Sequence, residues 1–406
     1  MKKLLLCAVV AACISTSQVW AEDGPLDFNE LVREALTNSP EAAKIDASLA
    51  ERVAEAFSTG VKENPELSSS FDIPSTRTGG EKNEMSITVS QALRRSDFGD
   101  RTALASVIEQ TANLDKQIAL NQYVQNLGVL YARAWQYQET NSLLTDARKR
   151  ALQFSNKVSE GAKRGIFSDG DVELFRAEQK TFEADGTAAQ AELLQTIAEL
   201  TRLSGISVQN KRLQKVDDTL FISREELERL VKDSSLPIQK RVQLLKDLAQ
   251  KQLEVARLDS FPAISPMVGY SRHDDGIDQV TVGFSMPLPF FDRNQGERIK
   301  AQGALAAAER EQRYSTSDAM VQEAQLIYAA YQSLKKQVEL YETGVIPAKK
   351  KAVDAYYRQF DAGVGTAFQL WQAFRELNTS QLRAIELRTS LASVRAQINA
   401  LTGKQF

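Results

Sequence analysis

The 406-residue chain has two cysteines, one histidine and no apolar run long enough to cross a bilayer as a helix. Each shortage removes a class of function. Both cysteines, Cys7 and Cys13, lie ahead of residue 22, so everything after it lacks disulfides, thiolate catalysis and cysteine metal sites. A single imidazole, His273, rules out any mechanism that needs several. Fifty basic against 53 acidic residues leave a formal net charge of -3, so no broad basic field points to nucleic acid. There is no G-x-S-x-G, Walker loop or H-E-x-x-H. No catalytic constellation, cofactor or resident metal is implied, and the expectation is a non-enzyme.

The first residues read as an export signal. Lys2 and Lys3 precede the apolar run Leu4 to Ile14, and a polar stretch ends at Val19-Trp20-Ala21 with small residues suited to cleavage. Residues 1–21 are then a signal peptide. The rival is Val10-Ala11-Ala12-Cys13, which resembles a lipobox and would leave a lipidated Cys13. Loss of Lys2 and Lys3 takes the net charge from -3 to -5. Weak hydropathy beyond this point does not exclude a membrane barrel, whose strands alternate.

What the chain does contain, it contains twice. Asn64-Pro65 recurs as Phe261-Pro262, and Leu130-Tyr131-Ala132 as Ile327-Tyr328-Ala329, at an offset of 197. Gly165-Ile166-Phe167-Ser168 recurs as Gly363-Val364-Gly365-Thr366, and Thr201–Gly205 as Asn399–Gly403, at 198. Ordered agreement at a nearly constant offset marks two copies of one unit. The copies are assigned to 22–205 and 236–406, joined by a linker, 206–235, that contains Val216-Asp217-Asp218 and the acid-rich Arg224–Glu228.

Each copy reads helix, strand, strand, long helix, turn, helix. Phe28 to Thr59 is helical with a break at Asn38-Ser39-Pro40. Period-2 alternation predicts strands over Glu66–Ile73, Ser86–Leu93, Ile264–Tyr270 and Val280–Leu288. The loops Thr78–Glu81 and Asp274-Asp275-Gly276 join them in pairs. Asp100 to Glu160 is glycine-poor and helical, about 60 residues or roughly 90 Å at 1.5 Å per residue. Its counterpart, Gly296 to Phe360, carries a heptad seam, Met320, Ala324, Ile327, Tyr331, Leu334, Val338, Tyr341 and Val345, with Pro347 expected to kink or interrupt it. The first copy has a shorter seam at Leu120, Val124, Leu127, Tyr131 and Ala134. The descending helices, Asp169–Leu203 and Ala367–Leu401, are about half as long.

The fold class is mainly α with a small β part, in two tandem repeats. Four strands cannot close a barrel, and lipid does not tolerate an open sheet edge. Two chains would give eight strands with a lumen filled by side chains; three give twelve and a pore. The expectation is a trimer with a 12-stranded β-barrel continued by an α-helical barrel.

The segment Val282-Gly283-Phe284-Ser285-Met286-Pro287-Leu288-Pro289-Phe290-Phe291-Asp292-Arg293-Asn294-Gln295-Gly296 is the sharpest motif. It resembles the strand-to-helix junction of the TolC family of outer-membrane efflux proteins, in particular the heavy-metal, CzcC-type branch, and the resemblance extends over nearly the whole chain. Its junction residues are Pro287, Pro289, Phe291, Asp292, Arg293, Asn294 and Gly296. The resemblance implies a homotrimer in outer-membrane lipid with its helices in the periplasm. It also implies a periplasmic membrane-fusion adaptor and an inner-membrane RND-type pump as partners, and a passive channel exporting cations such as cobalt, zinc or cadmium. Gly165, Ser168, Gly363 and Thr366 match the family's adaptor-docking tips, where Ser168 or Asp169 and Thr366 also serve as helix caps. Asp169, Asp171 and Asp361 are candidate entrance acids, favouring cations as carboxylate rings do.

Other readings stay open. The same channel could serve drugs or type I protein secretion, and a soluble periplasmic coiled-coil scaffold would explain the helices without a pore. His273, Asp274, Asp275 and Asp278 resemble metal ligands, but a loop of solvated turn residues accounts for them. Phe71, Tyr270, Phe284 and Phe290 are candidates for the lipid interface or for strand packing.

Overall fold

A computed structural model describes residues 24–402, except 74–82, 210, 216–219, 221, 234–235, 275, 292 and 316–317. The expected signal peptide, both cysteines, the loop Thr78–Glu81, Asp217, Asp218, Asp275, Asp292 and Gly403 lie outside the described residues.

Helix α1 (Phe28–Asn38) starts at Asp27, whose side chain accepts the Asn29 N–H. The expected break follows: Ser39 is extended, Pro40 opens α2 (Pro40–Gly60), and the Ser39 hydroxyl accepts from Glu41 N and Ala42 N. The same hydroxyl donates to Leu203 O at 2.7 Å, which docks the break on the far end of the repeat. Gly205 has φ +73, and a Cβ there would lie 2.6 Å from Asn38 O. Glycine at that point is a packing requirement.

Strands β1 (Glu66–Asp72), β2 (Glu84–Ser90), β3 (Ser265–His273) and β4 (Asp278–Ser285) form one antiparallel sheet in that order. Three bounds differ from expectation by three residues each, and four others by one or two. β3 runs on to His273 because β2 and β4 flank it on both sides. Leu93 leaves β2 but still bridges Ile264. β4 stops at Ser285 because Pro287 has no N–H and, among the described residues, the outer edge of β4 has no partner strand.

Helix α3 (Asp100–Lys163) is unbroken for 64 residues, about 96 Å at 1.5 Å per residue. The descending helices α4 (Asp169–Ser204) and α10 (Ala367–Thr402) have 36 residues each. The second ascending stretch is not one helix, as the pattern suggested. It comprises α7 (Gln295–Ser315), α8 (Asp318–Glu339), a π turn (Leu340–Val345) and α9 (Ile346–Asp361). Pro347 sits in the first turn of α9, where its missing N–H costs little, so the irregularity falls just ahead of it. The assigned linker contains a further helix, α5 (Arg224–Lys232), capped by Ser223, before α6 (Pro237–Leu258).

The internal repeat is visible in the ladders. Ser68 pairs with Thr88, and adding 197 to both gives Ser265 and Ser285, which also pair. Leu127 and Ala324, 197 apart, are both buried; Leu200 and Ile398, 198 apart, are both fully buried. The second copy therefore holds one extra residue between these points. The π turn lies in that interval, and a one-residue insertion is what widens an α-turn to a π-turn. There Glu342 accepts from Arg388 of α10, whose pKa is pulled down by burial.

The core is a string of separate clusters along the helices. Leu104, Ile108, Leu248 and Val255 lie nearest the sheet. Phe28, Leu31, Leu127, Tyr131 and Leu200 form the middle of repeat 1. The heptad seam packs in a cluster of its own: Ala324, Tyr331 and Val338 are buried with Leu227, Leu391 and Ile398. Phe154, Phe175, Phe182, Phe360 and Phe374 fill the end near the turns.

Candidate functional site: a two-faced sheet, its junctions and the helical tips

The sheet has one apolar and one polar face. Leu67, Phe71, Met85, Ile87, Val89, Val268, Tyr270, Val280, Val282 and Phe284 alternate onto the same side in register. All are exposed, Val282 at 77% of its surface. The other side presents Ser68, Ser70, Ser86, Thr88, Gly269, Thr281 and Gly283. Ser70 and Ser86 share a hydrogen bond at 2.9 Å. Among the described residues the apolar face is uncovered and the outer edges of β1 and β4 are unpaired, an arrangement that is unstable in water and whose natural covering is lipid. Phe71, Tyr270 and Phe284 belong to that face; Phe290 lies beyond the strand and is also exposed.

His273 is the last residue of β3 rather than part of a loop, because Arg272 and His273 complete the ladders to β4 and β2. Asp274 donates its N–H to Asn83 O. Asp278 opens β4 and accepts the Tyr270 hydroxyl at 2.7 Å. These contacts are strand-end chemistry.

The two strand-to-helix junctions differ. In repeat 1 a 3-10 turn, Arg95–Phe98, leads through Gly99 (φ +129) into α3. Arg101 reaches Asp259 at the end of α6 at 2.6 Å, and its Nε donates to Ser96 at 2.9 Å. Asp97 accepts from Arg94 N at 2.8 Å. No local pattern announces this polar knot, which ties one repeat to the other, because Ser96 and Asp259 are 163 residues apart. In repeat 2, Pro287 and Pro289 end the strand and Phe290 N donates to Leu288 O. Arg293 Nε donates to Pro289 O at 3.3 Å. Asn294 holds φ +58, a left-handed conformation that asparagine tolerates, and its side chain donates to Ala256 O at 3.1 Å. Gly296 falls within the first turn of α7. Phe291 is 95% exposed.

The two tips are built alike. Gly165 (φ +76) and Gly363 (φ +72) take left-handed turns. Ser168 caps α4, accepting from Asp171 N, while the Asp171 carboxylate accepts from Ser168 N. Thr366 accepts from Gln369 N, and Gln369 Oε1 accepts from Thr366 N. Both are capping boxes. Gly161 is also required, since a Cβ there would strike the Phe167 ring at 2.3 Å.

The expected entrance acids are not equivalent. Asp171 is folded back onto Ser168, and Asp361 pairs with Lys157 at 2.9 Å. Asp169 has no hydrogen-bond or ion-pair partner among the described residues. Three contacts between the tips were not anticipated. Phe167 stacks on Phe360 at 5.0 Å and 13°, and Lys157 lies over Tyr357 while also donating to its hydroxyl. Ile166 and Val364 stand exposed at the turn apices, Val364 at 83%. Ile166, Phe167 and Val364 belong to the two recurring tip tetrapeptides and Lys157, Tyr357 and Phe360 precede them by three to eight residues, but only the fold brings the two segments together.

Residues 240–404 match the family model for "Outer membrane efflux protein". The cobalt-zinc-cadmium resistance protein CzcC of Cupriavidus metallidurans is 24% identical over 273 residues, 66% of this chain. The alignment spans 64% of that relative's length. A crystal structure of CusC covers 96% of this chain and 96% of its own, with TM-score 0.76 and 16% identity. The outer membrane protein VceC of Vibrio cholerae covers 92% of this chain and 96% of its own, with TM-score 0.77 and 17% identity. The whole chain thus has the fold of these solved proteins: mostly helical with a small antiparallel sheet.

Proposed function

We propose that this chain, an outer membrane efflux family protein over residues 240–404 and folded like CusC and VceC throughout, is one subunit of a passive trimeric export channel. It is not an enzyme. It resides in the outer membrane with its helices in the periplasm. Three chains supply twelve strands to one barrel, and the helices continue it as a tunnel. The observation that carries this reading is the exposed apolar face from Leu67 to Phe284 on a sheet with two open edges. Leaving such a face in water costs about 25 cal/mol per Å² of apolar surface. Lipid removes that cost only if every strand edge is paired, which needs further copies of the sheet.

The channel serves a tripartite system. The tips built on Gly165, Ser168, Gly363 and Thr366, with the exposed Ile166 and Val364, dock a periplasmic adaptor, and an inner-membrane pump supplies the energy. The cargo is heavy-metal cations. The likeness to CzcC and the Val282–Gly296 junction support this cargo. Purified protein in planar bilayers should conduct as a trimer, and deletion of the gene should lower tolerance to zinc, cobalt or cadmium. Unchanged metal tolerance with lost dye tolerance would move the cargo to drugs. A protein recovered from the soluble periplasm without pore activity would overturn the channel.

A further inference from the structure

The helix end of the sheet carries a band of exposed aromatic rings. Each of the four strand connections there contributes a phenylalanine: Phe57 in the last turn of α2, Phe98 after β2, Phe261 before β3 and Phe291 after β4. All are exposed, Phe98 at 72%. Two of them hold cations. Lys62 Nζ lies 5.5 Å from the centre of the Phe98 ring, and the Arg95 guanidinium lies 4.9 Å from that of Phe261. Both cations are exposed, and neither has a carboxylate partner among the described residues. The neighbouring acids are engaged elsewhere: Glu63 pairs with Arg94, and Asp97 and Asp259 pair with Arg101. The β2–β3 part of the apolar face ends at the bridge between Leu93 and Ile264, where Ile264 is 51% exposed. Arg95 is two residues past that bridge, at most about 7 Å at 3.3 Å per residue. This is the depth of a headgroup layer, roughly 5–7 Å on each side of the hydrocarbon.

We propose that the Lys62–Phe98 and Arg95–Phe261 pairs bind the phosphate of an anionic glycerophospholipid, with the rings resting at the hydrocarbon boundary. This rests on the outer-membrane reading above and adds the class of lipid that the helix end selects. A cation over a ring keeps N–H donors that the ring cannot satisfy, and phosphate oxygens accept them. The planar fork of Arg95 suits a phosphate, and the compact ammonium of Lys62 adds a second contact. Arg95 and Phe98 belong to one 3-10 turn, so both cations lie beside that turn. Charge then sets the class of lipid. A zwitterionic lipid brings its own ammonium, which these two cations repel, whereas a lipid with net negative charge brings none. Each basic group near an anionic surface favours binding by about fivefold. At the opposite end of the apolar face, the strand-borne cation among the described residues is Arg272, and it already pairs with Asp278. The preference therefore belongs to the leaflet on the helix side.

The test uses full-length protein reconstituted in phospholipid vesicles, with a tryptophan reporter at the site. Phe261→Trp keeps an aromatic ring under Arg95, and the parent chain's own tryptophans supply the background. Phosphatidylglycerol with brominated acyl chains, diluted in phosphatidylethanolamine, should quench this reporter with a relative association constant roughly 25-fold above that of brominated phosphatidylethanolamine in the reverse mixture. Arg95→Gln and Lys62→Gln, each added to the reporter, should lower the ratio about fivefold, and raised salt should lower it too. An unchanged ratio in both glutamine variants would overturn the assignment. Val282→Trp, on the apolar face, reports lipid contact of any kind. If it is quenched while Phe261→Trp is quenched equally by both brominated lipids, or by neither, the headgroup site is overturned and the outer-membrane reading stands. If neither reporter is quenched, that reading falls as well.

Discussion

Lys157 on α3 reaches Asp361 at the end of α9 at 2.9 Å, joining the two repeats at the tips. The same ammonium donates to the Tyr357 hydroxyl. Both charges are largely exposed, so the pair contributes no more than about 1 kcal/mol to folding. Its value is positional. Lys157→Met should leave the melting temperature nearly unchanged but increase the open time of single channels in bilayers, as should Asp361→Asn. Hydrogen bonding to Tyr357, then to Asp361, raises the Lys157 pKa above the ordinary lysine value. A raised cationic pKa means the contact is intact at neutral pH and is lost only as pH climbs through that raised value. Channels that close more firmly in strong alkali would contradict this assignment.

Asp169 and Asp171 should separate on substitution. Asp171→Asn disturbs the capping box with Ser168 and should cost about 1 kcal/mol of stability. Asp169→Asn touches no partner among the described residues and should leave stability unchanged while reducing cation preference, read as a shift in reversal potential under a salt gradient.

Tyr131 is fully buried, and its hydroxyl lies 2.6 Å from Leu26 O and 2.8 Å from Gln214 O. These carbonyls belong to two chain segments that bridge at Leu26 and Leu213. Burial pushes the phenol pKa up, so it stays a donor at every physiological pH. Tyr131→Phe should destabilise by about 1 kcal/mol, because it removes the donor to Gln214 O, while Leu26 O still accepts from Gln214 N. Urea denaturation followed by tryptophan fluorescence would register this, through the nearby Trp135.

Arg101 is the cation of the knot that holds Ser96 and Asp259. Arg101→Met leaves the largely buried Asp97 and Asp259 without it and should cost about 1.5–3 kcal/mol. Arg101→Lys should recover only part of this, since an ammonium cannot reach both groups as a planar fork does. Equal melting temperatures for all three proteins would show that the knot is solvated.

The two sheet faces predict opposite responses to charge. Val282→Lys sits on the apolar face and should cost about 2–4 kcal/mol of membrane assembly, seen as loss from the outer-membrane fraction. Thr281→Lys, one residue earlier on the polar face, should assemble normally and change only conductance or selectivity.

The local elements follow from short-range rules. Asn38-Ser39-Pro40 breaks a helix because proline lacks a donor and serine caps, and both effects act over a few residues. Strand alternation and the heptad seam likewise follow from periods of 2 and 3.5 residues written in the sequence. The two copies were legible because the offset between them barely changes. The extra residue of repeat 2 was present as the step from 197 to 198, but its accommodation as a π turn required the packing of α10 against it. Tertiary structure alone decided which acids are engaged, where Arg101 and Asp259 meet, and how Phe167 stacks on Phe360. Those pairs are far apart in sequence, and only the folding of two long hairpins brings them within hydrogen-bond or ring-contact distance.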